Sequence, residues 1–320
     1  MSGELRAASY WRERTPGFTT SLDAMLLVLT ENSLLTARCS LLIAQSFMRI
    51  SAISYLNTAP LMWDFEHATA GDQFEISYTI PSQCARELQN GTADIGIIPS
   101  AAYASIPEIS IIPGVAIASK RAVRSILLVS LKPMDDIRTV ALDSSSLTSA
   151  ALTRVLFEKY WGGPRQFSAV APNVEAMLAE NDAALLIGDP ALQIDRSRYH
   201  TWDLAEEWLR FTGKPFVFAF WAVRNDATKS SSLDLSGIFQ SSRDHGLEPG
   251  NLRQITQSWS EKLKLPADDL SAYLTSNIFY YLDDSCLEGL SLFYRYAHEC
   301  KVLPLARELT FANAGSPAFI

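Results

Sequence analysis

The sequence has few of the residues that bind metals or carry thiol and imidazole chemistry. Four cysteines and four histidines are scattered along the chain: Cys39, Cys84, Cys286, Cys300, His67, His200, His245 and His298. No two cysteines form a C-x-x-C pair, and no histidine lies at ligand spacing from a cysteine. Structural zinc sites use such pairs. We therefore expect no metal ion, no other cofactor, and thiols that are reduced and mostly packed.

Signatures of several common enzyme classes are also absent. The chain has no P-loop, no complete G-x-G-x-x-G, no G-x-S-x-G and no H-E-x-x-H, so nucleotide, serine-hydrolase and zinc-protease chemistry have little support. The 27 basic residues are outnumbered by 35 acidic ones, and the net charge is −8. This balance argues against nucleic acid as a partner. A small anionic ligand is still compatible with this net charge, provided that hydrogen-bond donors at its site bind the anion.

Long uninterrupted apolar runs are missing as well. The stretch SLDAMLLVLTENSLLTARCSLLIAQSF is apolar, but Asp23, Glu31 and Arg38 interrupt it, so it falls short of the roughly 18 to 20 residues that a membrane span requires. The same charges make it a poor signal peptide. We expect a cytoplasmic protein, a monomer or homodimer without membrane association, whose true start is Met48. Residues 1–47 are then an N-terminal extension, and a helical accessory arm is the alternative.

The remainder of the chain has the composition of a soluble globular protein, with 48% hydrophobic and 19% charged residues. From Met48 onward, strand-like segments such as RISAISY, FEISYTI and ADIGIIP alternate with helix-like ones. In PSQCARELQNG, Ser82 is the predicted helix N-cap and Gly91 the stop. This alternation predicts an α/β fold with parallel sheets.

Two long apolar strands, near residues 123–131 and 216–223, separate a middle block from its flanks. They predict one lobe from residues 48–122 plus 222–320 and a second from residues 123–221. A ligand would lie in the cleft between the lobes, where strands end and helices begin.

Polar residues in SYLNTAPL and in the strand ADIGIIPS fall where the first lobe would face this cleft. Asn57 and Thr58 follow the first strand, and either an ordinary turn or a ligand site explains them. Ser100 follows another buried strand and is a candidate ligand contact, although a well-formed βαβ unit would explain the segment equally well.

The stretch DSSSLTSAAL places hydroxyl groups before a predicted helix in the second lobe. Its candidate ligand-binding residues are Ser145, Ser146, Thr148 and Ser149. Free N–H groups at a helix start, with hydroxyls beside them, form an anion site. Capping alone also favours serine and threonine, but five hydroxyl residues among seven exceed what capping needs. We expect a carboxylate to bind there.

The stretch LLIGDPAL runs from a buried strand through Gly188 and Asp189 into a helix. Asp189 suits a helix N-cap. Gly188 suits a close approach of substrate to the backbone. The aromatic strand FVFAFWAV is typical of a core, and it would also suit a wall against an unsaturated ring.

Taken together, six stretches resemble the chorismate dehydratases of the futalosine route to menaquinone. They are YLNTAPL, LQNGTADIGIIP, VRSILLVS, LDSSSLTSAAL, LLIGDPAL and DLAEEWLRFTGKPFVFAFWA. The resemblance covers residues 48–300 and implies a two-lobed type II periplasmic-binding-protein-like fold used as an enzyme. It further implies that chorismate loses water to give 3-[(1-carboxyvinyl)oxy]benzoate. Asn57 would then be catalytic, and Ser125 in VRSILLVS would contact substrate. Asp189 would be the candidate general base from the protein, although it suits a helix cap better.

One position departs from this family's pattern. The family usually has Ser-Arg-Thr-Ser at the second-lobe helix start, and Leu147 stands at the arginine position. The positive charge that the family's arginine supplies would then have to come from Arg124 or from the helix N-terminus. The paralogous 1,4-dihydroxy-6-naphthoate synthase is an alternative, but its catalytic histidine is replaced by Gly188-Asp189. A non-catalytic binding protein for a small carboxylate is the other alternative.

Overall fold

A computed structural model describes residues 47–67, 73–229, 231–305 and 308–312. The predicted N-terminal extension, apart from Phe47, lies outside the described residues. The structure therefore does not test the prediction that Met48 is the true start. No helix in the described ranges is both long and apolar enough to cross a bilayer.

The described chain forms two five-stranded sheets. The strands are β1 (Met48–Ile53), β2 (Phe74–Thr79), β3 (Ile95–Pro99), β4 (Ile109–Ser119), β5 (Ile126–Ser130), β6 (Thr139–Asp143), β7 (Gln166–Val170), β8 (Ala183–Ile187), β9 (His200–Asp203) and β10 (Phe216–Arg224). The first sheet has the order β2-β1-β3-β10-β4, and the second has the order β7-β6-β8-β5-β9. We call each sheet with its flanking helices a lobe.

The two sheets share one plan. In each, four strands run in one direction, and the fourth strand in order, β10 or β5, runs antiparallel to its neighbours. These two strands are the ones that follow the crossings between lobes, at residues 120–125 and 213–215. Strands β3, β5 and β8 are buried at every position, and strands that are buried on both faces have such continuous apolar sequences.

Helices flank both sheets. They are α1 (Trp63–His67), α2 (Pro81–Asn90), α3 (Ser100–Tyr103), α4 (Thr148–Lys159), α5 (Val174–Glu180), α6 (Gly188–Leu192), α7 (Leu204–Thr212), α8 (Asn225–Lys229), α9 (Leu235–Gly246), α10 (Pro249–Leu263), α11 (Ala267–Ala272) and α12 (Asp284–Glu299). The 3₁₀ segments are Leu56–Met62, Met134–Asp136 and Arg196–Arg198, and Tyr273–Asn277 is a π-helical turn.

Two details of these elements differ from the sequence prediction. Helix α2 begins at Pro81 with Ile80 at the cap position, so the predicted cap Ser82 lies inside the helix, whereas Gly91 ends it in a left-handed conformation as expected. Proline is favoured in the first helical turn because its missing N–H is not needed there. Strand β10 pairs with β4 from Phe216 onward. Residues 216–221 therefore belong to the first sheet, although the prediction assigned the range 123–221 to the second lobe.

Asp203 fixes the crossing into the second lobe. Its carboxylate accepts hydrogen bonds from the N–H groups of Val123 and Arg124 at 3.0 and 2.6 Å. It also caps helix α7 by accepting from Ala205 and Glu206. Arg124 has a φ of 66°, which costs free energy for a residue with a side chain. The two bonds from Asp203 hold this strained turn in place.

Candidate active site

The carboxyl ends of β1, β3, β6 and β8 surround a small cavity between the lobes. Of the predicted site residues, those that line it are Asn57, Ser146, Thr148, Ser149 and Gly188. Those buried nearby without lining it are Thr58, Ser100, Ser125, Ser145 and Asp189. The fold thus brings residues that are up to 132 positions apart, from Asn57 to Asp189, to one place.

Asn57 is oriented by hydrogen bonds to two neighbouring side chains. It lies in the 3₁₀ segment that follows β1, and Thr58 donates its hydroxyl to Asn57 Oδ1 at 3.4 Å. Asn57 also hydrogen-bonds Tyr273, whose phenol donates to Ser125 Oγ at 2.9 Å. Ser125 is fully buried. Its hydroxyl therefore supports Asn57 through Tyr273, and Ser125 does not line the cavity.

Asp189 joins the two lobes. Its Oδ1 accepts a hydrogen bond from the N–H of Leu56 at 3.1 Å, and the cap position of helix α6 is Ile187, without a side-chain cap. The predicted helix-cap role is therefore wrong. Burial raises the pKa of Asp189 to about 6, while the Leu56 N–H and the charge of Lys262 oppose this rise. A carboxyl with such a pKa changes charge near neutral pH.

Gly188 accommodates the ring of Tyr55. Gly188 has a φ of 64°, and a Cβ built on it would lie 2.7 Å from Cδ2 and Cε2 of Tyr55. No real side chain fits there, and the left-handed backbone also favours glycine. The close approach for which we expected substrate is thus made by an aromatic side chain of the opposite lobe.

Tyr55, which the sequence prediction missed, is linked to a buried carboxylate. Its phenol hydrogen-bonds Ser145, and Ser145 donates its hydroxyl to Asp143 Oδ1 at 2.6 Å. Asp143 is 1% exposed, and its Oδ2 has no partner among the described residues. Burial raises the pKa values of both Asp143 and Tyr55. The order Asp143, then three serines, at a strand end was the available sequence signal.

The hydroxyl groups at the start of α4 have mixed roles. Thr148 Oγ1 accepts the N–H of Ala101 from the first lobe at 3.1 Å, and Ser146 Oγ accepts the N–H of Ser149 at 3.2 Å. Ser100 donates to the carbonyl of Val217 at 2.8 Å. The bond to Val217 lies within the first lobe, whereas Thr148 Oγ1 connects the lobes through Ala101 N–H and through the Ser100 hydroxyl at 3.4 Å. Only part of the predicted anion site therefore faces the cavity.

The cavity has a volume of about 50 Å³. Ligand pockets usually have volumes of about 300–1,000 Å³, so the structure shows the lobes in a closed arrangement. Among the described residues, no lysine, arginine or histidine lines the cavity. Arg124, the expected source of charge, belongs to the crossing and does not line the cavity.

Comparison with known sequences identifies the family. Residues 48–299, most of the 320-residue chain, match the family described as menaquinone biosynthesis. The chain belongs to this family. The match begins at the first residue of β1 and ends at the last residue of α12, so it takes in both sheets and the whole cleft.

Relatives in this family carry enzyme names. Over 257 residues, the chain is 26% identical to the chorismate dehydratase of Thermus thermophilus, covering 75% of this chain and 91% of that protein. Over 180 residues, it is 27% identical to the chorismate dehydratase of Campylobacter jejuni, covering 52% of this chain and 70% of the other. The resemblance seen in the six sequence stretches is confirmed.

Solved structures show the same fold at low sequence identity. Protein AF1704 from Archaeoglobus fulgidus is 14% identical, covers 80% of this chain and 98% of its own length, and has a TM-score of 0.59. The periplasmic aliphatic sulphonate binding protein SsuA from Escherichia coli is 17% identical, covers 80% and 93%, and has a TM-score of 0.57. Together with the two matching strand orders, they confirm the predicted two-lobed, periplasmic-binding-protein-like fold.

Proposed function

We propose that this protein eliminates water from chorismate to give 3-[(1-carboxyvinyl)oxy]benzoate, as a cytoplasmic enzyme of the futalosine route to menaquinone. The observation that carries the proposal is the match to a chorismate dehydratase over 91% of that protein's length. The cleft supports it, because Asn57 from one lobe and the start of α4 from the other line a single cavity.

The reaction needs groups that stabilise negative charge on the ring carboxylate and on the departing hydroxide. It also needs one group that removes the C3 proton and one that protonates the hydroxide. A base removes the C3 proton, the C–H electron pair becomes a ring double bond, and the C4–O bond breaks to release hydroxide, which leaves as water after protonation. The gain of an aromatic ring drives the step. Donors that stabilise charge on the ring carboxylate and a positioned base and acid accelerate such an elimination.

The substrate carboxylates have two candidate partners in the cavity. The start of α4, with Ser146, Thr148 and Ser149, would bind the ring carboxylate through N–H and hydroxyl donors. Asn57 would hold the enolpyruvyl carboxylate, since Tyr273 and Thr58 already fix its amide. Ser100 would help orient this arm once the lobes open, because its hydroxyl would then lose its contact with Thr148 Oγ1 of the second lobe, which lies 3.4 Å away in the closed arrangement.

The base in this proposal is the enolpyruvyl carboxylate of the substrate itself. Asp189 is the protein-side candidate, with a pKa of about 6, but one of its oxygens accepts the Leu56 N–H and it does not line the cavity. Tyr55 does line the cavity, and its raised pKa keeps the phenol protonated at neutral pH. Tyr55 would donate the proton to the departing hydroxide.

Incubation with chorismate tests the proposal directly. The purified protein should form the aromatic enolpyruvyl ether, detected by liquid chromatography and mass spectrometry, without added cofactor. Binding of chorismate without product would instead support a carboxylate-binding protein, and product formation only from the later intermediate of the pathway would support the naphthoate synthase.

Asn57→Ala is the matching variant. It should abolish turnover and change the free energy of unfolding by only about 1–2 kcal/mol. Asn90→Ala, at an exposed position at the end of α2, is the control and should keep full activity. Near-normal turnover by Asn57→Ala would refute the role given to this residue.

A further inference from the structure

A second, larger cavity adjoins the cleft. It is a groove of about 370 Å³ between α2, α3, α4 and the segment at Val302 and Leu303. Ala85, Ala101 and Ala150 are among its lining residues, and these small side chains leave the space open. The groove reaches the size range of small-molecule sites, which the closed cleft does not.

Ser146 and Leu147 line both the groove and the cleft cavity. Leu147 stands immediately before α4 and is 40% exposed. The two residues that precede α4 therefore border both the groove and the cleft cavity, and Leu147 lies between these two spaces. The groove and the cleft cavity are thus neighbours that share these two residues.

The groove carries the positive charge that the cleft lacks. The described residues that line it include Arg86 and Arg154 and no aspartate or glutamate, although the whole chain has a net charge of −8. Neither guanidinium forms an ion pair with a described residue. A cationic groove in an acidic protein concentrates small anions locally.

Arg154 is held in a fixed position beside this space. Its guanidinium carbon lies 4.5 Å from the ring centroid of Phe167, and burial lowers its pKa from the ordinary value. A half-buried arginine without a carboxylate partner still needs acceptors for its five N–H donors. A second hollow of about 300 Å³ continues past Arg154 and is lined by Arg165, Lys301 and one acid, Glu158.

We propose that this groove is an anion-binding port to the cleft, in which Arg86 and Arg154 bind a carboxylate of the incoming substrate before it passes Leu147. The ligand class is a small dicarboxylate, and its identity as chorismate rests on the proposed function. Arginine suits this task because its planar fork binds a carboxylate through two parallel hydrogen bonds.

The double variant Arg86→Gln/Arg154→Gln tests the port. At low ionic strength, kcat/KM for chorismate should fall about tenfold, while kcat stays within twofold, because neither arginine lines the cleft cavity. Added salt should lower kcat/KM of the wild type much more than that of the double variant. The charge-retaining variant Arg86→Lys/Arg154→Lys should recover most of the loss.

Arg253→Gln is the matched control. Arg253 is exposed on α10 and does not line the groove, so its replacement removes a positive charge elsewhere on the surface. Its kcat/KM should stay within twofold of wild type. A similar loss in this control would show a general charge effect and overturn the port, as would a double variant that retains wild-type kcat/KM or loses kcat instead.

The dissociation constant of isophthalate, a stable aromatic dicarboxylate, separates this inference from the proposed function. The double variant should bind it about tenfold more weakly than the wild type and Arg253→Gln do. If the wild type does not convert chorismate, the proposed function fails while this comparison still decides about the groove. Equal isophthalate affinity in all three proteins would refute the port.

Discussion

The carboxylate of Asp189 in the second lobe accepts a hydrogen bond from the main-chain N–H of Leu56 in the first, at 3.1 Å. Leu56 immediately precedes Asn57, the residue given the central role in substrate binding. The bond therefore joins the two lobes at the cleft and fixes the start of the segment that carries Asn57. Because burial raises the pKa of Asp189 to about 6, this contact depends on pH.

Asp189→Asn should change how stability depends on pH. The pKa of Asp189 rises from its ordinary 3.8 to about 6 in the folded protein, so the fold binds the proton more tightly than the unfolded chain does. The stability from this group is present below pH 4 and is lost as the pH rises through 6. At about 1.4 kcal/mol per pKa unit, the loss is up to about 3 kcal/mol.

Asparagine does not titrate, and its Oδ1 can still accept from Leu56. The variant should therefore gain free energy of unfolding relative to wild type between pH 4 and pH 7, as measured by urea denaturation. A constant difference across that range would contradict the assignment. Its kcat should stay within about fivefold of wild type, whereas a loss of about a hundredfold would make Asp189 the base.

Gly188→Ala should destabilise the closed cleft. The new Cβ requires a left-handed backbone at a residue with a side chain, which costs about 1–3 kcal/mol, and it would collide with the ring of Tyr55. Gly213→Ala is the matched control, because Gly213 has a φ of 68° but no atom within 4 Å of a built Cβ. Gly188→Ala should lose more unfolding free energy and also raise KM. Equal losses in both variants would show that Tyr55 is not crowded.

Tyr55→Phe should slow the reaction without harming the fold. The change removes the phenol that hydrogen-bonds Ser145 and, in the proposed function, the proton donor. Loss of a positioned acid lowers kcat by about a hundredfold, whereas the free energy of unfolding should change by only about 1 kcal/mol. Tyr160→Phe, at a position 40% exposed, is the control for steady-state kinetics. A Tyr55→Phe variant with wild-type kcat would place the acid elsewhere.

Leu147→Arg should strengthen substrate binding. The new guanidinium would lie between the groove and the cleft cavity, both of which Leu147 lines. It would restore the Ser-Arg-Thr-Ser pattern that the resemblance associates with this helix start. KM for chorismate should fall about threefold to tenfold, with stability within about 0.5 kcal/mol because the site is 40% exposed. Leu147→Met keeps the apolar side chain and should leave KM unchanged. An unchanged or higher KM in the arginine variant would count against this placement.

Local sequence patterns predicted the main strands and helices and part of the candidate site. Apolar runs bounded by glycine and proline predicted β3 and β8, because strands buried on both faces need continuous apolar side chains. Asn57 and the serines before α4 were found because polar residues at strand ends face a cleft in such folds. Their placement around one cavity agrees with that expectation.

Only the tertiary structure decided what these residues contact. Asp189 and Leu56 are 133 residues apart in the chain, and no local pattern relates them, so a helix cap was the natural interpretation. The same holds for Gly188 against Tyr55 and for Arg86 near Arg154. A sequence fixes backbone propensities over a few residues, whereas contacts between lobes arise from packing that brings distant segments together.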